Sequence, residues 1–199
     1  ENRFPAKEIE QLGEMGCMGI GASSDFGGSN LNTLTLSVIV EELSKSCASV
    51  GAICSIHNCL YVNLLQKAGS HEQKVQWLTG FTNGKKIGAF ALSETEAGSD
   101  VAAISTTATK DGDHYILNGS KAWVTSGEQA EAVIVFATVD KSQKHKGIAA
   151  FLVNMNQEGV TRGKNERKIS IRATSTNTIH LNEVRVHSSN VLSPPGQGF

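Results

Sequence analysis

At Asn83-Gly84 the chain changes its hydrophobic period, and no other feature restricts the possible folds as much. Before this point apolar residues come in long, dense blocks of helical character. After it they alternate along short stretches rich in β-branched residues, with turn residues between them. Side chains repeat every second residue on a strand and every ~3.6 residues on a helix, so neither pattern can bury its apolar set in the other structure. The order predicts an α+β protein: a helical unit over residues 1–84, entered partway through at its start, then a β unit over 85–199 built as an antiparallel sandwich or barrel.

Within the helical unit, Pro5 in a first turn and Glu8 and Glu10 near the positive end of the dipole predict a helix over Ala6–Met15, stopped by Gly16. Residues 19–30 are too rich in glycine and serine for regular structure. They also lack a leading strand and the G-x-G-x-x-G spacing, so they are a connection and not a dinucleotide-binding turn. Leu34, Leu36, Val38, Ile39, Val40 and Leu43 crowd residues 33–47 so closely that this helix is expected to be buried over most of its circumference, with Glu41 and Glu42 on its wetter side. A second buried helix is expected over residues 50–67, with Ala52, Ile53, Ile56, Leu60, Val62, Leu64 and Leu65 inward and Ala68-Gly69 at its end. Ser70 caps a shorter helix over residues 71–78.

In the β unit, strands are expected at Ile87–Leu92, Ser105–Thr109, His114–Leu117, Ala122–Thr125, Ala132–Val139, Ile148–Val153 and Asn177–Val186. Asn118-Gly119 reads as the turn of a hairpin between two of them.

Several function classes drop out on composition. Eighteen basic and nineteen acidic residues give a net charge of -1, which leaves no electropositive footprint for nucleic acid. No run approaches the ~20 apolar residues of a membrane span, and the first residues do not have the pattern of a signal peptide. Cys17, Cys47, Cys54 and Cys59 share no C-x-x-C spacing and read as buried free thiols in a reducing compartment. The six histidines form no i,i+4 pair, so no metal site is expected, and His57 reads as a satisfied core histidine.

Two stretches carry chemistry. Ala89-Phe90-Ala91-Leu92 is an apolar strand running into the small polar loop Ser93-Glu94-Thr95-Glu96-Ala97-Gly98-Ser99-Asp100. Lys121-Ala122-Trp123-Val124-Thr125-Ser126-Gly127 is a strand whose end offers an indole, a hydroxyl and a glycine. Together they suit a flat ring with a polar edge, such as a flavin. Taken singly, the first could be an Asp-ended turn of any β domain, and Trp123 an ordinary core residue.

The helix-then-sheet order joins these stretches to Glu72-Gln73-Lys74, Leu117-Asn118-Gly119-Ser120, Lys146-Gly147-Ile148 and Ile171-Arg172-Ala173-Thr174-Ser175-Thr176. Along its whole length the sequence resembles the acyl-CoA dehydrogenase family, most closely the short-chain (butyryl-CoA) branch. The resemblance implies FAD bound between the β domain and a C-terminal helical bundle. Phe90, Ala91, Leu92, Ser93, Glu94, Thr95, Glu96, Ala97, Gly98 and Ser99, with Trp123, Val124 and Thr125, would then lie along the flavin. Ser93 and Thr125 would meet the polar edge of the ring, Trp123 would cover its surface, and Ser99 would contact the thioester part of an acyl-CoA.

The implied reaction is α,β-dehydrogenation of a short-chain acyl-CoA to a trans-2-enoyl-CoA in fatty acid β-oxidation, with electrons passed to an electron-transferring flavoprotein. The family's catalytic glutamate lies in the C-terminal bundle, so no catalytic residue is expected among residues 1–199. A homotetramer in the mitochondrial matrix, or alternatively the bacterial cytoplasm, is also implied. The sequence departs from the family pattern at Thr95, Ser126, Ser170 and His187, where proline, asparagine, glycine and proline are usual. Two alternatives stay open: a non-catalytic scaffold or interaction module derived from the family, and an acyl-CoA oxidase.

Overall fold

The computed structural model describes residues 3–197. Its helices are α1 (Ala6–Glu14), α2 (Thr33–Ser46), α3 (Ala48–Ala68) and α4 (His71–Trp77). The strands are β1 (Gly88–Ala91), β2 (Thr107–Asp111), β3 (His114–Thr125), β4 (Ala132–Thr138), β5 (Ile148–Asn154), β6 (Val160–Arg162), β7 (Thr176–His187) and β8 (Val191–Ser193). They form one sheet in the order β6-β7-β3-β2-β4-β5-β8, with β1 also paired to β4. Most pairs are antiparallel, but β1 runs parallel to β4 from Gly88↔Ala132 to Ala91↔Val135, and β2 meets β4 in parallel at Thr107↔Thr138. Both strands thus use one edge of β4, and the chain between them must loop out of the sheet there.

β4 is buried along its whole length. Ile134 and Phe136 join Tyr61, Leu65, Trp77 and Leu78 in a core shared with the helices. Val133 and Val135 face the opposite way and pack with Leu117, Ile179 and Val184 of β3 and β7. A strand covered on both faces reads as a continuous apolar run, which is the pattern of Ala132–Thr138.

The helical unit is fixed to the sheet by side chains with defined partners. Ser70 and Gln73 form a reciprocal capping box at the start of α4, and the Gln73 amide donates to the Ser189 and Val191 carbonyls at 2.8 and 3.0 Å. The Trp77 indole donates to Asn190 Oδ1 at 3.1 Å. His57 lies fully inside: its Nδ1 accepts from the Gly88 amide at 3.3 Å, so its Nε2 carries the proton and donates to the Phe81 carbonyl at 3.1 Å. Burial brings its pKa down to about 4 and keeps it neutral.

Several expectations need correction. Within α2 only Leu36 is buried, while Leu34 is 72% and Val38 52% exposed, because among the described elements it packs mainly on α3. In α3 a π-turn at His57–Val62 widens the helix by a residue and rotates its faces. His57, Asn58, Tyr61 and Val62 consequently face inward, and Leu60 faces out. By length and composition α3 would qualify as a membrane span, contrary to the sequence reading, but half of it is buried and its Asn58 amide is bonded to the Cys17 and Cys54 carbonyls. Cys17 and Cys54 are buried as expected, whereas Cys47 and Cys59 are exposed.

Asn118-Gly119 is a bulge and not a turn, so β3 is one strand of 12 residues. The Asn118 side chain is occupied by Glu183, donating to its carboxylate at 2.6 Å and accepting from its amide at 2.8 Å. Gly119 takes φ +148° where a Cβ would come within 2.8 Å of Thr106 Cα. The hairpin between β2 and β3 turns at Gly112, between the strands expected at Ser105–Thr109 and His114–Leu117.

Candidate functional site

Where β1 ends, the chain turns sharply through Glu94-Thr95-Glu96-Ala97, closed by the Glu94 amide on the Ala97 carbonyl at 2.9 Å and the reverse bond at 3.2 Å. It then passes Ser99 and a single 3-10 turn, Val101–Ala103, before rejoining the sheet at β2. On the other side, β3 bulges between Lys121 and Val124 and pairs again with β7 at Val124↔Asn177 and Thr125↔Thr176. The bulge puts Trp123 at φ +60°, a left-handed conformation costly for a side chain of this size, and leaves it 63% exposed. Ser126 follows at φ +60° with its amide on the Ser175 carbonyl.

The two segments meet through three successive contacts. Lys121 Nζ donates to the Leu92 carbonyl at 2.9 Å, the Ala122 amide to the Ser93 carbonyl at 2.8 Å, and Lys121 Nζ again to Glu94 Oε1 at 2.7 Å. The Lys121 side chain has no solvent exposure and that of Glu94 only 6%. Glu94 also accepts from the Ser105 amide and hydroxyl, both at 2.6 Å, and from the Thr106 amide at 2.9 Å. Burial by itself would raise the Glu94 pKa, but the hydrogen bonds from Lys121, Ser105 and Thr106 outweigh it and hold the group at about 2. Burial lowers the Lys121 pKa, against the hydrogen bond and charge of Glu94, which raise it.

The predicted site residues divide by exposure. Ala91, Glu94, Ala97 and Val124 are buried, so only their backbones could meet a ligand. Phe90, Leu92, Ser93 and Thr125 are half-buried, and Thr95, Glu96, Gly98, Ser99 and Trp123 are exposed. Among the described residues neither Ser93 Oγ nor Thr125 Oγ1 has a hydrogen-bond partner. Phe90 and Leu92 turn toward α3, where with Cys59, Leu60, Leu64 and Phe136 they line an open, mainly apolar groove of about 320 Å³. Two hydroxyls without partners and an exposed indole are groups that suit a flat ring with a polar edge.

Lys121, Ser105 and Thr106 were not anticipated. A faint signal for the lysine exists: Leu117, Gly119 and Lys121 alternate along β3, and Leu117 is completely buried, so Lys121 falls on the inward parity. A charge on that parity implies a buried counter-charge.

A helical domain docked on a largely antiparallel sheet, with this junction at the end of β1, defines the class. Family profiles match both parts: acyl-CoA dehydrogenase, N-terminal domain, over residues 1–85, and acyl-CoA dehydrogenase, middle domain, over residues 89–184. The chain belongs to the acyl-CoA dehydrogenase family. It is 46% identical over its full length to the mitochondrial short-chain specific acyl-CoA dehydrogenase of Rattus norvegicus, of which it spans 48%. Among solved structures, butyryl-CoA dehydrogenase from Megasphaera elsdenii superposes with a TM-score of 0.95 at 36% identity, over 100% of this chain and 53% of that one. A glutaryl-CoA dehydrogenase from Mycobacterium smegmatis in complex with FADH2 gives 0.90 at 31% identity, over 100% of this chain and 50% of that one.

Proposed function

We propose that residues 85–199 form one wall of an FAD site in a short-chain acyl-CoA dehydrogenase, with residues 1–84 as the helical domain beside it. The observation that carries this reading is the contact of Leu92–Glu94 with Lys121 and Ala122, which brings the stretch bearing Ser93 beside the stretch that continues into an exposed Trp123 and a half-buried Thr125. FAD, when bound, supplies the acceptor for a hydride leaving the β carbon of an acyl thioester. The part of this chain is to bind and orient. Ser93 and Thr125 offer hydrogen bonds to the ring's polar edge, Trp123 lies along its surface, and the Phe90–Leu92 face keeps water from the apolar side. Ser99, exposed on the loop after the turn, is assigned to the thioester end of the substrate.

Glu94 is excluded as the base that removes the α proton. Both its oxygens are engaged by donors and its pKa stands at about 2, far from the range of an efficient proton acceptor near neutral pH. The base is assigned to the C-terminal bundle implied by the family resemblance. Electron-transferring flavoprotein as acceptor, a homotetrameric assembly, a role in β-oxidation and a setting in the mitochondrial matrix or bacterial cytoplasm belong to the same proposal.

The test is spectroscopic. The complete natural polypeptide, purified with FAD, is expected to absorb at roughly 450 nm as bound oxidised flavin does, and to bleach anaerobically on addition of butyryl-CoA. Persistence of the band with every acyl-CoA tried, in a protein that binds FAD, would leave the non-catalytic scaffold as the better reading. Oxygen consumption matching turnover would instead mark an oxidase.

A further inference from the structure

We infer that Lys121 and Glu94 are positioning residues that set the ring-facing geometry of three separate segments at once. The inference rests on the flavin reading above and adds to it the part that fixes the site's shape. Lys121 and its neighbour Ala122 hold Leu92, Ser93 and Glu94 by the three successive contacts at 2.9, 2.8 and 2.7 Å, which fixes the height of the Ser93 hydroxyl relative to β3. Glu94 then grips the Ser105 amide and hydroxyl and the Thr106 amide, so one carboxylate closes the base of the loop that carries Ser99. Immediately beyond Lys121 and Ala122 the backbone turns left-handed at Trp123, and the indole's presentation depends on the anchor before the bulge and the β7 pairing after it.

Chemistry explains why an ion pair is used here. The ends of β1 and β2 leave backbone groups, the Leu92 carbonyl and the Ser105 and Thr106 amides, facing inward where no strand pairs with them. Unmet, each would be a costly buried polar group. An ammonium satisfies the carbonyl, a carboxylate satisfies the amides, and their mutual attraction ties the two ends together. An apolar pair of the same volume could fill the space but could not hold either end. The pair is a device for geometry at a point where the sheet opens.

The experiment uses the complete natural polypeptide with FAD as the ligand. In Lys121→Met the FAD dissociation constant, read by flavin fluorescence, is expected to rise at least tenfold, and the visible circular dichroism of the flavin still bound is expected to lose intensity. Lys121→Arg, which keeps both donors, is expected to stay within threefold of the parent. A loss of overall stability that leaves the site unchanged would not alter the dichroism of the flavin still bound. If Lys121→Met does not fold, Glu94→Gln carries the same two readouts, with an expected rise of at least threefold. Parent-like affinity and dichroism in the folded variant overturn the inference. Should the parent not bind FAD, the flavin reading fails, and amide exchange then decides the geometry: faster exchange at Ala122 and Thr106 in the variant, with β4 and β5 unchanged, sustains the clamp, and unchanged exchange there removes it.

Discussion

The β4–β5 pair and the β1–β3 junction lie in the same sheet and are built on opposite principles. β4 and β5 pair in unbroken register from Ala132↔Asn154 to Thr138↔Ile148, with apolar side chains filling both faces. The junction has a four-residue strand, a bulge, two left-handed non-glycine residues and a buried ion pair. Burial of apolar surface stabilises wherever it occurs and has no preferred direction. Directional bonds to defined atoms place a hydroxyl or an indole to within a fraction of an ångström. Stability and placement are therefore assigned to different parts of one sheet.

Removing apolar volume from the first region gives the largest effect. Phe151, fully buried on β5 against Tyr115, is expected to cost about 3–5 kcal/mol as Phe151→Ala, read by chemical denaturation. A cost near zero would mean that the pair is not the stabilising centre. Acid acts on the second region. The Glu94 pKa is depressed from 4.5 to about 2, so its contribution is fully present above pH 4.5 and is lost as pH falls from 4.5 toward 2. Denaturation followed across that window is expected to show a stability loss that Glu94→Gln flattens. An identical slope in the variant would move the loss to other carboxylates.

Smaller effects sharpen the contrast at the turn and the bulge. Thr95 is the second residue of the Glu94–Ala97 turn, a position where proline is favoured, and its φ is not positive. Thr95→Pro is expected to stabilise by about 0.4–1 kcal/mol through the unfolded chain, seen as a raised midpoint; destabilisation would show that the turn needs a freer backbone. Trp123→Ala is expected to leave stability within about 0.5 kcal/mol, since the side chain is mostly in water, while FAD affinity falls. A stability loss above that with unchanged FAD affinity would make Trp123 a packing residue.

The same division governs what could be read from the sequence. Period and caps are local, so the helix-to-strand change near Gly84, the Ser70 cap and a strand over Ala132–Val139 were all legible, although burial of that strand on both faces was not. His57 too was correctly read as a core histidine. Pairings that depend on distant residues were not legible: the parallel β1–β4 contact, the Asn118–Glu183 bonds that turn an apparent hairpin into a bulge, and the three-residue strands β6 and β8. The apolar density of α2 suggested burial, yet density says nothing about which neighbour covers it. The stretches around Ser93 and Trp123 were singled out as candidates from their residue types, but the contact between them was missed because Lys121 and Glu94 are 27 residues apart.

The most direct test compares the two regions at matched stability. A Phe151 variant and Lys121→Met, each in the complete natural polypeptide, are chosen to have equal denaturation midpoints, and their FAD dissociation constants are measured side by side. The Phe151 variant is expected to bind FAD within twofold of the parent and Lys121→Met at least tenfold more weakly. Equal losses in the two would contradict the account, because FAD binding would then follow overall stability and not the geometry held by Lys121 and Glu94.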